Sequence, residues 1–583
     1  MQLKLLFLAG VNLLLVALIA CTLPKPITPT TPTASSTVEE ISSPQSRASI
    51  TGIVLDETGA PLAGATVRAQ TTTIEMVSDE NGYFNLYGKV GMPVTISAWA
   101  DGYYCAKTEN VVFPASGITF TMRLVQTNDN PDYEWIPPTG ENSCYSCKPG
   151  VTQVWLDNDA HGRSAINFRF LTMYNGTDVD GNQSPLTRYA YNKDYGYFPL
   201  HPDLTQPYYG PGYKLDFPDT AGNCAACHVP GAAVDAPYGT DPNTGSDTDL
   251  FGIHCDYCHK VADVTLNPDT QLPFPNMPGV LSQDIRRPFT ENPDRYQLFF
   301  GSFDDDNVPE EDTYLPLIKE SQWCAPCHYG IFWDTLIYNS YGEWLESSYS
   351  DPETGRTCQH CHMPAPTILN DQELTNVAPN NGGVERNPMT IPAHIFPGAA
   401  NEDLLQNSVT MTVTAARSGD ELTVDVTILN DRTGHSIPTD SPLRHMILLV
   451  QAVGLDGDSL VLVDGPTLPD WTGIGDPQDG YFAGQPGQAY AKILMEQWTE
   501  ISPTGSYWNP TRILSDNRIP AMGSDTTHYV FQTPENSNLH VEVRLLYRRA
   551  FIELAEQKGW DDPDILMETA QYDLTEASSV TSP

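Results

Sequence analysis

Cys224-Ala-Ala-Cys227-His228, Cys255-Asp-Tyr-Cys258-His259, Cys324-Ala-Pro-Cys327-His328 and Cys358-Gln-His-Cys361-His362 repeat one pattern four times in the middle of a 583-residue chain. A fifth copy, Cys144-Tyr-Ser-Cys147-Lys148, precedes them with lysine where the others carry histidine. Zinc would take such pairs two by two to close a tetrahedron, and five pairs do not divide that way. A redox dithiol would be single and near a βαβ pattern. Only 13 residues of the chain are histidine, yet one follows four of the five pairs, which is the c-type haem attachment signature. Each thiol pair would bond the porphyrin, and the next residue would come under the iron as axial ligand. The proximal set is then Lys148, His228, His259, His328 and His362, and five haem c groups are expected.

The remaining cysteines agree. Of twelve, ten lie in the pairs, Cys21 ends an apolar N-terminal run, and Cys105 remains, expected as a buried small hydrophobe. No pair is left for a structural disulfide, although disulfides are usual in exported proteins.

Export itself is read from the start of the chain. Lys4, the leucine-rich run from Leu5 to Ala20, and the small residue before Cys21 form a secretory signal over 1–20. Leu18-Ile19-Ala20-Cys21 resembles the bacterial lipobox, which implies lipidation of Cys21 and membrane contact through that anchor alone. A Pro/Thr/Ser tract over 21–48 cannot bury a core and is expected to act as an extended tether. The formal charge of -43 argues against nucleic acid, which demands clustered Lys and Arg.

The composition is globular and the length calls for several domains, so the expected fold class is multidomain. Residues 49–124 show short strands punctuated by Gly and Asn turns. The run Gly52-x-Val54, Gly59-x-Pro61-Leu62-x-Gly64-Ala65-x-Val67, Asp79-x-x-Gly82-x-Phe84 resembles the carboxypeptidase regulatory-like domain, implying a transthyretin-like β-sandwich without a peptidase site. Residues 125–407 read as an irregular, mainly α/coil pentahaem domain whose haem faces replace a side-chain core. Short helices are expected near 151–165, 331–348 and 400–407. The acidic stretch from Asp304 to Asp312 reads as a solvated loop, with Ca2+ binding as the alternative. From Ser408 the periodicity becomes two, so 408–560 is expected to be a second β-sandwich closing with a terminal helix near 550–558, followed by a polar tail over 561–583.

Nine histidines outside the proximal set are candidates for the opposite faces of the irons: His161, His201, His254, His360, His394, His435, His445, His528 and His540. Trp155-Leu-Asp-Asn-Asp-Ala-His161-Gly-Arg-Ser164, Glu343-Trp344-Leu345-x-Ser347, His394-Ile-Phe396-Pro-Gly398 and Asn430-x-x-x-Gly434-His435-Ser-Ile-Pro438-Thr439 resemble the multihaem cytochromes c that include cytochrome c nitrite reductase and hydroxylamine oxidoreductase. The resemblance spans roughly 140–445 and implies that His161, His394 and His435 are distal ligands. Independently, a rigid Gly-His-x-x-Pro-Thr loop could project His435 onto a neighbouring domain. His201 and His254 stay open, His360 faces away from its own iron, and His445, His528 and His540 fall in the β pattern as structural residues.

In cytochrome c nitrite reductase the lysine-ended motif marks the catalytic haem. By resemblance Lys148 would mark an active site here, with Arg163, Arg169, Arg188 and Tyr189 as nearby candidates. The lysine motif stands first in this chain, however, and a β-sandwich replaces that enzyme's C-terminal helical region. The expectation is therefore an anchored electron carrier between a quinone-linked respiratory donor, or redox partner proteins, and an external acceptor. A nitrogen or sulfur oxyanion reductase is the alternative.

Overall fold

The computed structural model describes residues 47–575 and 579–581, apart from 159, 195, 201, 290–296, 306–307, 309–310, 455–456 and 535–537. The signal, the tether, Cys21 and His201 lie outside the described residues. Ala48–Pro583 form one compact unit.

Its N-terminal part is built from strands that bury alternate residues. Arg47–Asp56 sits between Tyr83–Lys89 and Ala115–Met122 in one sheet, and a second sheet runs Glu75–Val77, Thr66–Ala69, Pro93–Trp99, Ala106–Val112. Ile50 and Val54 from the first sheet share a core with Val67 and Ile96 from the second, the arrangement of a sandwich.

The C-terminal part follows the same logic on a larger scale. Strands Thr410–Ser418 and Glu421–Leu429 alternate inward and outward residues, with Val413 opposite Val426 and Ala415 opposite Val424. Gly419, at φ 65°, occupies their two-residue turn, where a left-handed conformation matches the strand twist. One five-stranded sheet contains these strands; the other runs Thr511–Asp516, Gly487–Glu496, His445–Gly454, Leu539–Arg548, Ile565–Leu574. The terminal helix is Ile552–Lys558. The expected polar tail is different in part: Ile565–Leu574 is an edge strand paired along Leu539–Arg548.

Between the two sandwiches the chain is irregular. Helices are as short as one turn, and two-stranded pairs such as Gly330–Phe332 with Thr335–Tyr338 interrupt them. That hairpin occupies the first half of the helix expected at 331–348, of which only Ser340–Leu345 is helical; Trp333 at its turn adopts φ 55°, which a helix excludes. The local cores are small and rich in alanine, with Ala165, Ala225, Ala226 and Ala233 packed around Tyr257.

The described residues of the acidic stretch are anchored rather than solvated. Asp304 accepts from Arg68 at 2.6 Å, and buried Asp305 bonds the Thr71 amide at 2.8 Å and Arg386 at 2.8 Å. Trp99 donates to Thr313 at 3.2 Å and meets Tyr314 edge-on. The carboxylates thus bracket the N-terminal sandwich to the middle region. No helix among the described residues is long and apolar enough to cross a membrane.

Candidate haem sites

Each Cys-x-x-Cys pair lies on a single turn of helical backbone. The amide following the pair bonds the first cysteine's carbonyl in four motifs: Lys148 to Cys144 at 2.8 Å, His228 to Cys224 at 3.1 Å, His259 to Cys255 at 3.0 Å and His328 to Cys324 at 3.2 Å. The fifth motif is helical throughout, Cys358–His362. Residues at i, i+3 and i+4 share one face of such a turn, so both thiols and the ligand residue point the same way. All ten cysteines are half-buried and free of disulfides.

The motifs also meet one another. Cys144 is in hydrogen-bonding contact with Cys255, Cys227 with Cys327, and Cys324 with Cys358. The first motif therefore adjoins the third, and the fourth adjoins both the second and the fifth.

The decisive geometry is among the histidines. His328 faces His161 with ring centres 6.2 Å apart, His259 faces His394 at 6.5 Å, and His362 faces His435 at 6.4 Å. A metal between two imidazoles, bonded to each at about 2 Å with each nitrogen about 1.1 Å from its ring centre, separates the centres by about 6.3 Å. Each pair joins one motif histidine to one from a distant segment. The ring nitrogens are sorted as well: Nδ1 of His259, His362, His394 and His435 bonds the carbonyls of Phe300, Pro397, Pro392 and Ser436 at 2.6, 2.8, 3.1 and 2.9 Å. A carbonyl accepts only from N–H, so Nδ1 carries the proton and Nε2 is left as the donor to a metal. Burial depresses His161 to about 3 and His228, His259, His362 and His394 to about 4; these imidazoles are neutral, as ligation requires. His328 differs: burial opposes its charge, but the Asp440 carboxylate raises it to about 9.

Three segments carry the histidines that face the motifs. His161 opens the turn His161–Ile166, whose Ser164 donates to the His228 carbonyl at 2.7 Å. His394 lies in an extended Pro-rich stretch. His435 projects from the C-terminal sandwich on a loop held by Asn430, which donates to the carbonyls of His435 and Ile519 at 2.9 Å each. The anchor that presses this loop onto the middle region is Glu343, which accepts from the Ser436 amide at 3.1 Å, from Thr439 at 2.6 Å and from Arg518 at 2.8 Å. Its role was missed, because nothing local in the sequence marks a carboxylate whose partners lie beyond residue 430.

Lys148 is half-buried, and desolvation lowers its pKa against the opposing pull of Asp312, the two sulfurs of its motif and Glu311. An open cleft of about 540 Å3 runs beside the first motif, lined among others by Tyr145, Gln153, Asp157 and Asn376, and by no Lys or Arg. Of the residues expected near an anion site, Arg169 pairs with Asp562 and lies over Trp560, while Tyr189 belongs to the hairpin of Tyr189–Asn192 with Gly196–Pro199. His228 stacks on Phe170 with ring centres 3.7 Å apart. Among the described residues no second histidine faces His228 or Lys148 at the spacing of the three pairs.

The other histidines have structural partners. His254 is fully buried and caps the third motif's turn, accepting from the Tyr257 amide at 3.2 Å. His445 is enclosed by Phe551 and Trp471. His528 and His540 pair with Asp425 and Asp573 across strands, and His360 bonds Thr357 within its own turn.

Haem fits this donor set. Among the described residues no three His, Cys, Asp or Glu side chains converge as a lone metal ion would need; thiol pairs for a porphyrin's edge with opposed imidazoles for its iron are what haem c would take from a protein.

Residues 49–124 match the family model of the carboxypeptidase regulatory-like domain. No protein of curated function matches the chain significantly. Among solved structures, a penta-haem cytochrome c552 from Thermochromatium tepidum aligns over 76% of this chain and 100% of its own, with 17% identity and a TM-score of 0.49. A chain of a cohesin–X-dockerin complex from Acetivibrio cellulolyticus aligns over 13% of this chain and 58% of its own (21% identity, TM-score 0.12). Catechol 1,2-dioxygenase from Acinetobacter sp. ADP1 aligns over 16% and 59% (15% identity, TM-score 0.12).

Proposed function

We propose that this chain is an exported multihaem c-type cytochrome that carries electrons between a respiratory donor and an external acceptor. The observation that carries the reading is the recurrence of motif histidine opposite distant histidine at 6.2 to 6.5 Å. Haem c supplies one-electron exchange between ferric and ferrous iron. The chain's own residues do the rest. The cysteine pairs would hold the haems, His161, His394 and His435 would be ligands together with His328, His259 and His362, and backbone carbonyls fix the tautomers of His259, His362, His394 and His435. Contacts between thiols of different motifs support close spacing of the five groups.

Relay is favoured over oxyanion reduction by what surrounds Lys148. An anionic substrate needs cations at the developing charge, whereas Asp312 and Glu311 face this amine. The reductase reading keeps one point in its favour: burial that depresses Lys148 suits a neutral amine ligand.

Attachment through Cys21 to the outer side of the cell membrane, with the tether over 21–48 behind it, completes the proposal. Quinone-linked or protein donors fit that location. The test is direct. Intact mass and pyridine haemochrome of the mature protein should give five haems per chain, and Cys21→Ser should release it from membranes. Two haems or fewer would end the reading.

A further inference from the structure

Four of the ligand imidazoles rest their Nδ1 on neutral backbone carbonyls, but His328 does not. Its Nδ1 lies 3.9 Å from the Oδ1 of Asp440. Asp440 stands five residues after His435 on the same loop, so one excursion from the C-terminal sandwich supplies a distal ligand to the fifth motif and a carboxylate to the fourth. The placement is built. Asp440 adopts φ 68°, a left-handed conformation that Asp and Asn tolerate better than most residues. Its Oδ2 lies 3.6 Å from Arg444, which itself donates to the Thr439 carbonyl at 3.2 Å.

We propose that Asp440 is a positioning residue that sets the redox potential at the fourth motif, holding it below the value a backbone carbonyl would give. A carboxylate beside an imidazole N–H raises the ligand's basicity and favours the more positive state of the metal. Arg444 moderates the effect by partly neutralising the carboxylate. The position matters because Cys327 touches Cys227 and Cys324 touches Cys358: the fourth motif is where the second and the fifth meet. A depressed potential there separates the second motif from the fifth energetically while leaving each next to the fourth.

This rests on the haem reading, so haem content is measured first; a preparation without haem would fail that reading and not this one. Potentiometric titration of five-haem protein then decides. Asp440→Asn keeps the shape and the left-handed backbone, and should raise one midpoint of the five. The expected change is about tenfold in the ferric-to-ferrous ratio at fixed potential, which is about 59 mV for one electron. Arg444→Gln should move the same component the opposite way. An Asp440→Asn protein titrating as wild type, or shifting all five components together, would overturn the proposal. Should Asp440→Asn not accumulate in folded form, an unchanged titration of Arg444→Gln overturns it alone.

Discussion

His362 of the fifth motif and His435 of the C-terminal sandwich face each other with ring centres 6.4 Å apart and planes 21° from parallel. Their Nδ1 atoms are each tied to a carbonyl, of Pro397 and Ser436, so both Nε2 atoms are committed to the gap. A metal bond across it would add a crosslink between two parts of the chain that otherwise meet through hydrogen bonds such as Val179 N–H to the Lys558 carbonyl at 3.0 Å.

His435→Ala should therefore do two things at once. About one-fifth of the haem signal should pass from low to high spin, and thermal unfolding should begin earlier because a crosslink between regions is lost. Electron paramagnetic resonance and a melting curve check both. Unchanged spin states would show that His435 is only a loop residue.

Glu343 holds the same loop by other means. It and Arg518 are each about nine-tenths buried; without Glu343 the guanidinium keeps Asp516 at 2.8 Å, and losing this pair with the Ser436 and Thr439 bonds costs roughly 2–3 kcal/mol. Glu343→Ala should lose about that much in urea denaturation. The double variant with Arg518→Ala should lose less than the sum of the two, since the residues share one interaction.

Much of this was legible in the residues. The thiol pairs and the residues expected as proximal ligands follow from fixed local spacing, and the strands at 410–418 and 421–429 follow from a period of two. His161, His394 and His435 were expected as distal ligands, but no spacing rule says which faces which motif. The bracket formed by Asp304 and Asp305 was read as a loop because Arg68 and Arg386 are remote in sequence. Ile565–Leu574 looks like a tail in sequence because an edge strand carries polar residues, here Thr569, Gln571 and Asp573, on its open side. Asp440 and Glu343 were invisible for a like reason: their partners come together only when the C-terminal sandwich docks.

That docking has a pH signature at Lys558. Its ammonium donates to the carbonyls of Thr172, Thr177 and Pro211 at 3.0, 3.0 and 2.5 Å, and burial lowers its pKa to about 7. The unfolded chain keeps this proton up to about 10.4. Between those values the unfolded state binds more protons, so stability rises with pH, by up to about 1.4 kcal/mol per unit. Below about pH 7 both states are protonated and the burial cost is constant. Wild type should gain on Lys558→Met between about pH 7 and pH 9 in denaturant titrations. A flat difference would mean that the three carbonyls keep the ammonium charged.

Lys148 decides between carrier and reductase. An amine must be neutral to bind iron, and desolvation at this site works in that direction. Lysine in place of histidine thus changes the donor, and the carboxylates of Asp312 and Glu311, whose field acts on this amine, oppose an incoming anion. Purified five-haem protein should accordingly show no nitrite turnover with a viologen donor, while exchanging electrons rapidly with a small redox partner. Lys148→His should preserve haem attachment and shift one midpoint potential without creating or abolishing any turnover. Rapid ammonium production by wild type, lost in Lys148→His, would instead make the first motif an active site.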